Sequence, residues 1–312
     1  ERALPNMVEL LEEREVFAVV GNVGTPTARV TGPYAVANKL LFFGGSTGAG
    51  LLRKDPPERY VFNYRASYAD ETAAIVDYFV QIKGIPADKI AVFAQKDVYG
   101  DDGYRGVART LRRHGVKQED ILRVGYDRNT LDVDEAVETI LTHRDQVRAI
   151  VMVPTYRVAA HFVQRVRDEK LDCEFHAVSF VSGNDLAEEF RERGVRYGEG
   201  VIVTQVVPPP DSMATGVIRY RTLLKEHFPE AEPAFVSLEG FIVAEILVEG
   251  LRKVGPDLST EKLIDGLYRI KDLDLGVGSI VSFGPSRHQA SHKVWATVLD
   301  DQGRFSVLDL DP

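Results

Sequence analysis

The chain has 312 residues, of which 44% are hydrophobic and 27% charged, with a net charge of −9 and a single cysteine, Cys173. That length predicts two domains, each able to bury a core of its own. Basic residues are scattered (the densest cluster is Arg109, Arg112 and Arg113), which argues against a nucleic-acid partner; no apolar run approaches the ~18 residues of a membrane span, and one cysteine excludes an intramolecular disulfide or a thiolate metal cluster.

The opening "ERALPNMVELLEERE" sets Leu4, Met7, Val8 and Leu11 at helical spacing. The sequence therefore reads as starting inside a helix, with earlier residues expected to be missing, and the lack of a leader carries no information about compartment. "VFAVVG" (16–21) predicts a strand and "TPTARVTGPYAVANK" a helix, with Thr25 as N-cap and Pro26 in the first turn. "LLFFGG" (40–45) and "RYVFNY" (59–64) predict two more strands. A helix should follow from Ser67, capped through Ser67 and Asp70, with Ile75, Tyr78, Phe79 and Ile82 on one face.

"KIAVFAQ" (89–95) leads into a helix with Tyr104, Val107 and Leu111 inward, stopped by Gly115. "ILRVGY" (121–126), "RAIVMV" (148–153), "FHAVSF" (175–180) and "GVIVTQVV" (200–207) continue the alternation of strand and helix. Continuous apolar strands imply burial on both faces, hence parallel sheets covered by helices. After the triple proline in "VVPPPD" (206–211) helical segments fall near 213–228, 235–253 and 260–269, then "SIVSFG" (279–284) and "KVWATVLD" (293–300).

In open α/β sheets ligands bind beyond the carboxyl ends of strands. Five corners lie there: "GNVGTPT", "GGSTGAG", "QKDVYGDD", "PTYR" and "FVSGND". The first is either a cap that only starts a helix or an anion seat built from free amides and the helix dipole. It is neither a Walker loop nor a G-x-G-x-x-G dinucleotide turn. In the second, Ser46 and Thr47 either donate to a carboxylate or belong to a flexible turn. Tyr99 and Tyr156 either close over a small ligand or pack their corners. No nucleophile elbow or zinc-protease motif is present, and His288 and His292 read as a solvated loop pair without a third ligand. The residues call for no cofactor, metal or catalytic group.

"FAVVGNVGTPTA", "RYVFNYRASYADETAAIVDYF", "KIAVFAQKDVYGDDGYRGV", "SLEGFIVAEILVEGLRKVG" and "VSFGPSRHQASHKVWATVLDDQGRF" together resemble the periplasmic solute-binding proteins of ABC importers, of the branched-chain amino acid type. The resemblance spans essentially the whole chain. It implies the type I periplasmic binding fold: two α/β, Rossmann-like lobes with parallel-sheet cores joined by three crossovers, with an N-terminal strand-helix-strand unit missing. The expected lobes are 1–65 plus 209–283 and 66–208 plus 284–312, with crossovers near 65–68, 207–210 and 283–285.

It also implies a small carboxylate-bearing ligand, bound between the lobes by hinge closure. Carried over position by position, the ligand residues are Thr25, Thr27, Ser46, Thr47 and Gly48 in the first two loops, Phe235 at a helix start, and Tyr99, Thr155, Tyr156, Val181 and Ser182 in the second lobe. Amino-acid-binding members carry an acidic residue after the strand matching "HAVSF"; here Phe180, Val181 and Ser182 stand there, and Asp185 comes later. An unpaired buried ammonium is costly, so an amine-free aromatic or aliphatic acid is expected, with an amino acid as the other option. The implied partner is the membrane permease of an importer, the location periplasmic or extracellular, and the state a monomer or weak dimer. A sensing domain of a receptor is the alternative, and an enzyme the third.

Overall fold

The computed structural model describes residues 2–310. In chain order it runs α1 (Ala3–Glu12), β1 (Ala18–Val20), α2 (Thr25–Ala37), β2 (Leu41–Phe43), β3 (Val61–Phe62) and α3 (Tyr68–Asp77). β4 (Ile90–Gln95), α4 (Val98–Arg113), β5 (Arg123–Tyr126), α5 (Asp134–Thr142), β6 (Ala149–Val153) and α6 (Tyr156–Asp168) follow. Then come β7 (Glu174–Ala177), α7 (Gly183–Arg193), β8 (Ile202–Gln205), α8 (Thr215–His227), α9 (Phe235–Val254) and α10 (Thr260–Tyr268). Short strands β9 (Leu273–Asp274) and β10 (Ile280–Val281), then β11 (Trp295–Leu299) and β12 (Phe305–Leu308), end the chain.

Two compact units divide it: Glu1–Ser67 with Val207–Lys293, and Tyr68–Val206 with Val294–Pro312. The third passage between units falls at Lys293–Val294, later than the expected 283–285. Backbone pairing explains the position. Asn63 N donates to His288 O (2.7 Å), Ala290 N to Asn63 O (2.9 Å) and Ser291 N to Tyr64 O (2.9 Å), which ties residues 288–291 to the end of β3.

In the first unit β1, β2 and β3 form a parallel sheet in that order, and β9 pairs antiparallel with β10. Phe42, Leu40, Val61 and Leu52 pack with Met7, Ala28 and Ala35 of α1 and α2. Of the four N-terminal helix residues at apolar spacing, only Met7 is buried. Helix α9 lays Leu238, Ile242 and Ile246 inward at i, i+4, i+8. It approaches β2 closely: a Cβ on Gly44 would lie 2.3 Å from Val243 Cγ1.

The second unit holds a seven-stranded sheet in the order β12-β11-β8-β7-β6-β4-β5, parallel from β8 to β5, with β11 antiparallel to both neighbours. β4, β6 and β8 are buried at every residue, as continuous apolar runs demand. Phe93 of β4 stacks on Phe162 of α6 at 3.8 Å. Helix α4 is capped by the Asp97 carboxylate, which accepts from Tyr99 N (2.9 Å). Val107 and Leu111 face inward as expected. Tyr104 does not: it stays partly exposed with the Arg123 guanidinium over its ring at 4.5 Å.

Gly44 (φ 60) and Gly21 (φ 68) both need the left-handed region, but only Gly44 also abuts a side chain. Gly44→Ala is expected to cost about 3 kcal/mol and Gly21→Ala about 1 kcal/mol. Urea unfolding of both variants checks this; equal losses would contradict the close packing of α9 on β2.

Candidate functional site

The candidate residues fall in one set of loops in each unit. In the first, the parallel register of β1 and β2 carries on beyond the strands. Gly21 N donates to Phe43 O (3.0 Å), Ser46 N to Asn22 O (2.9 Å) and Gly24 N to Ser46 O (3.1 Å). Residues 21–25 and 44–47 therefore run side by side, and Thr25 Oγ1 meets Thr47 Oγ1 at 2.7 Å. The expected N-cap role of Thr25 is corrected here. Gly24 (φ 90) is the cap residue and Thr25 the first helical residue of α2, so its hydroxyl faces the neighbouring loop.

Around this pair, Asn22 Nδ2 donates to Thr27 Oγ1 (3.3 Å) and Thr31 Oγ1 to Asn22 Oδ1 (3.0 Å). Thr27 Oγ1 donates to the carbonyl of Gly24 (2.7 Å) and also contacts that of Val23. Thr25 and Thr47 are almost fully buried, as is Gly48, while Asn22, Thr27 and Ser46 are half-buried. The accessible polar edge is thus the Asn22 amide and the Ser46 hydroxyl, with the first-turn amides of Thr25 and Thr27 in α2; the Thr27 hydroxyl proton is already given to Gly24 O, and Pro26 has no N–H. This is chemistry for an anion of carboxylate size.

Arg53 locks the second loop and was not singled out from the sequence. Its Nη1 donates to the carbonyls of Thr47 (3.1 Å) and Ala49 (2.9 Å), Nη2 to Arg65 O (3.1 Å), and Nε to Gln289 Oε1 (2.9 Å). Arg65 in turn faces Glu239 of α9, Nη1 to Oε2 at 3.6 Å, with both side chains nearly sealed from solvent. Phe235 sits at the first turn of α9, buried. His288 corrects another expectation. It is not solvated but buried, stacked on Phe62 at 4.0 Å, with Nδ1 donating to Val61 O (2.9 Å) and burial pulling its pKa down.

In the second unit the strand order reverses between β4 and β6, the point where such sheets bind ligands. Tyr99 and Thr155–Tyr156 lie just beyond those two strands. Tyr99 is buried: its hydroxyl donates to Pro154 O (3.1 Å) and its ring packs on Tyr68 and Phe180 at 5.4 and 5.0 Å. That bond joins the two corners. Thr155 and Tyr156 are half-buried, and Thr155 N donates to Tyr126 Oη (3.1 Å). The strand expected over 175–180 ends at Ala177, and Ser179–Val181 form a 3₁₀ turn. Val181 packs into the hydrophobic core, whereas Ser182, at φ 59, is half-buried.

That turn is held by Glu71 of α3, a second residue missed in the sequence because a helix-face glutamate reads as solvated. Glu71 is fully buried. Its carboxylate accepts from Ser179 N (2.7 Å), Ser179 Oγ (2.9 Å) and Thr204 Oγ1 (2.7 Å). His176 Nε2 lies 3.0 Å from the same Thr204 hydroxyl. Desolvation pulls the His176 pKa down to about 3, so the ring is neutral at physiological pH.

A family model described as periplasmic binding protein matches residues 1–304. The chain belongs to the periplasmic binding protein family. Its fold is the type I fold of that family, and membership implies an extracytoplasmic setting. This binding protein is similar to the solved structure of a possible leucine/isoleucine/valine-binding protein from Rhodopirellula baltica, at 40% identity and TM-score 0.93, covering 99% of this chain and 82% of that one. A substrate-binding periplasmic protein from Ralstonia solanacearum matches at 26% identity and TM-score 0.85, over 98% and 84% of the two chains. A fatty acid ABC transporter substrate-binding protein from Thermomonospora curvata shares the fold at 17% identity and TM-score 0.83, over 98% and 78%. A search of curated proteins gave no match.

His176 generates a pH prediction. Its folded pKa, about 3, lies below the 6.5 of an unperturbed histidine. Between those values the unfolded chain binds the proton and the folded chain does not. Stability is therefore lost as pH falls from 6.5 toward 3, by at most about 1.4 kcal/mol per pH unit. Urea unfolding at pH 4, 5 and 7 should show a shallower pH dependence in His176→Asn than in the parent; parallel slopes would contradict it.

Proposed function

We propose that this periplasmic binding protein is the extracytoplasmic solute receptor of an ABC importer, and that its solute is a small amine-free carboxylate, aliphatic or aromatic. The observation that carries the reading is the hydroxyl and amide edge at the start of α2, where Asn22, Thr27 and Ser46 surround the Thr25–Thr47 bond. Hydroxyls and a helix N-terminus suit a carboxylate without requiring a fixed cation. The solute residues are those carried by the resemblance: Thr25, Thr27, Ser46, Thr47, Gly48 and Phe235 in the first unit, and Thr155, Tyr156 and Ser182 in the second. Tyr99 and Val181 act through the loops they anchor.

The amine-free assignment rests on the turn after β7. Phe180, Val181 and Ser182 bring no carboxylate there, and the one that reaches the turn, Glu71, is buried and already accepts from three donors. Phe180, Val181 and Ser182 offer an α-ammonium at this corner no side-chain carboxylate in exchange for its water. The fatty-acid neighbour supports the reading as a case of the same fold taking an acid without an amine. The leucine/isoleucine/valine-type neighbour favours the second reading, a branched-chain amino acid.

Leucine and 4-methylpentanoate differ only in the ammonium group, so calorimetry with this pair decides between the readings. The acid is expected to bind at least about tenfold more tightly, and tight leucine binding with none to the acid would overturn the proposal. Ser46→Ala, which removes a hydroxyl from the accessible edge, is expected to weaken binding of the preferred partner about tenfold with thermal unfolding close to that of the parent. Unchanged affinity would place the carboxylate elsewhere.

A further inference from the structure

The first unit holds a pocket of about 170 Å³ where residues 52–57 meet residues 286–292. That is several times the space a single water needs. Arg53, Lys54 and Arg287 bring three positive charges to its wall, His292 adds an imidazole, and none of the wall residues is acidic. The three charges differ in what they offer. Arg53 has its donors committed to Thr47, Ala49, Arg65 and Gln289, and so contributes a fixed positive field.

Arg287 is exposed and spends only Nε and Nη2, on the carbonyls of Gln289 (3.5 Å) and Ala290 (3.3 Å). Its Nη1 keeps two N–H donors for a ligand. Lys54 pairs with Glu58 at 2.5 Å, in a bridge where the lysine side chain is 59% exposed. Such a pair is weak and its ammonium still has donors to give. The Ser286 hydroxyl is a further donor on the same wall.

One wall residue asks for the opposite. Asn63 is 1% exposed; its Nδ2 donates to Leu52 O (2.8 Å), but its Oδ1 has no hydrogen-bond partner among the described residues. A buried acceptor left without a donor is costly. A ligand with anionic oxygens and an O–H on the same centre satisfies both demands. Monohydrogen phosphate is such an ion, whereas sulfate at neutral pH carries no proton. We propose that this pocket is a binding site for inorganic phosphate in its monohydrogen form, separate from the loops assigned to the carried solute.

The test is calorimetric titration of the whole protein with sodium phosphate and, in parallel, sodium sulfate, in a phosphate-free buffer at constant ionic strength. One-to-one saturable binding of phosphate, tighter than sulfate and weakened at least about tenfold in Arg287→Gln/Lys54→Gln, is the expected result. Both substituted side chains are exposed, so thermal unfolding without phosphate should match the parent and exclude misfolding. No saturable phosphate binding, or binding unchanged in the double variant, overturns the site. Sulfate binding as tightly as phosphate overturns the role given to Asn63 and with it the proton-bearing ligand.

Discussion

The hydrogen bond between Thr25 and Thr47 is the joint on which the first unit's loops depend. Two hydroxyls that are nearly inaccessible to water must find partners inside the protein or cost stability. Here they find each other, across two loops that leave adjacent parallel strands. The register of β1 on β2 decides that meeting, because Val23 and Ser46 continue the pairing past the strand ends. Gly24, at φ 90, turns the chain so that α2 starts with Thr25 facing the second loop. Arg53 then fixes the far side of that loop through its carbonyls, and ties it to Arg65 and Gln289. An apolar sheet thereby presents a rigid polar edge.

The second unit follows the same rule with other groups. Buried polar groups that find partners lock the loops they belong to, although His176 Nδ1 finds none among the described residues. Tyr99 spans the strand-order reversal, and Glu71 fixes the turn after β7. Glu71 is saturated with donors, His176 is held neutral, and burial pushes the Cys173 thiol up to about 12, far from a thiolate at neutral pH. Groups so placed hold geometry rather than move protons, in keeping with a family of solute-binding proteins.

Much of this was legible in the sequence, for a physical reason. Strands buried on both faces are apolar without interruption, so β4, β6 and β8 announced themselves, and their helices followed from 3.6-residue spacing. Loops at carboxyl strand ends were legible as well, since glycine and hydroxyl residues cluster there. What remained hidden depends on partners distant in the chain. Arg53 gains its meaning from residue 289, Glu71 from residues 179 and 204, and His288 from the ring of Phe62. A pattern read within one helix or loop cannot contain such pairs, and so a loop histidine reads as solvated and a helix-face glutamate carries no signal of its own. β12 was missed because an edge strand with mixed exposure lacks the apolar signature.

The central claim is that the protein holds a solute whose carboxylate, and not an ammonium group, anchors it. Native mass spectrometry of the protein as purified, with denaturing release and identification of what it carries, tests this most directly. The account predicts one organic acid lacking an α-amino group per chain. Release of leucine, valine or another α-amino acid at that stoichiometry would contradict it.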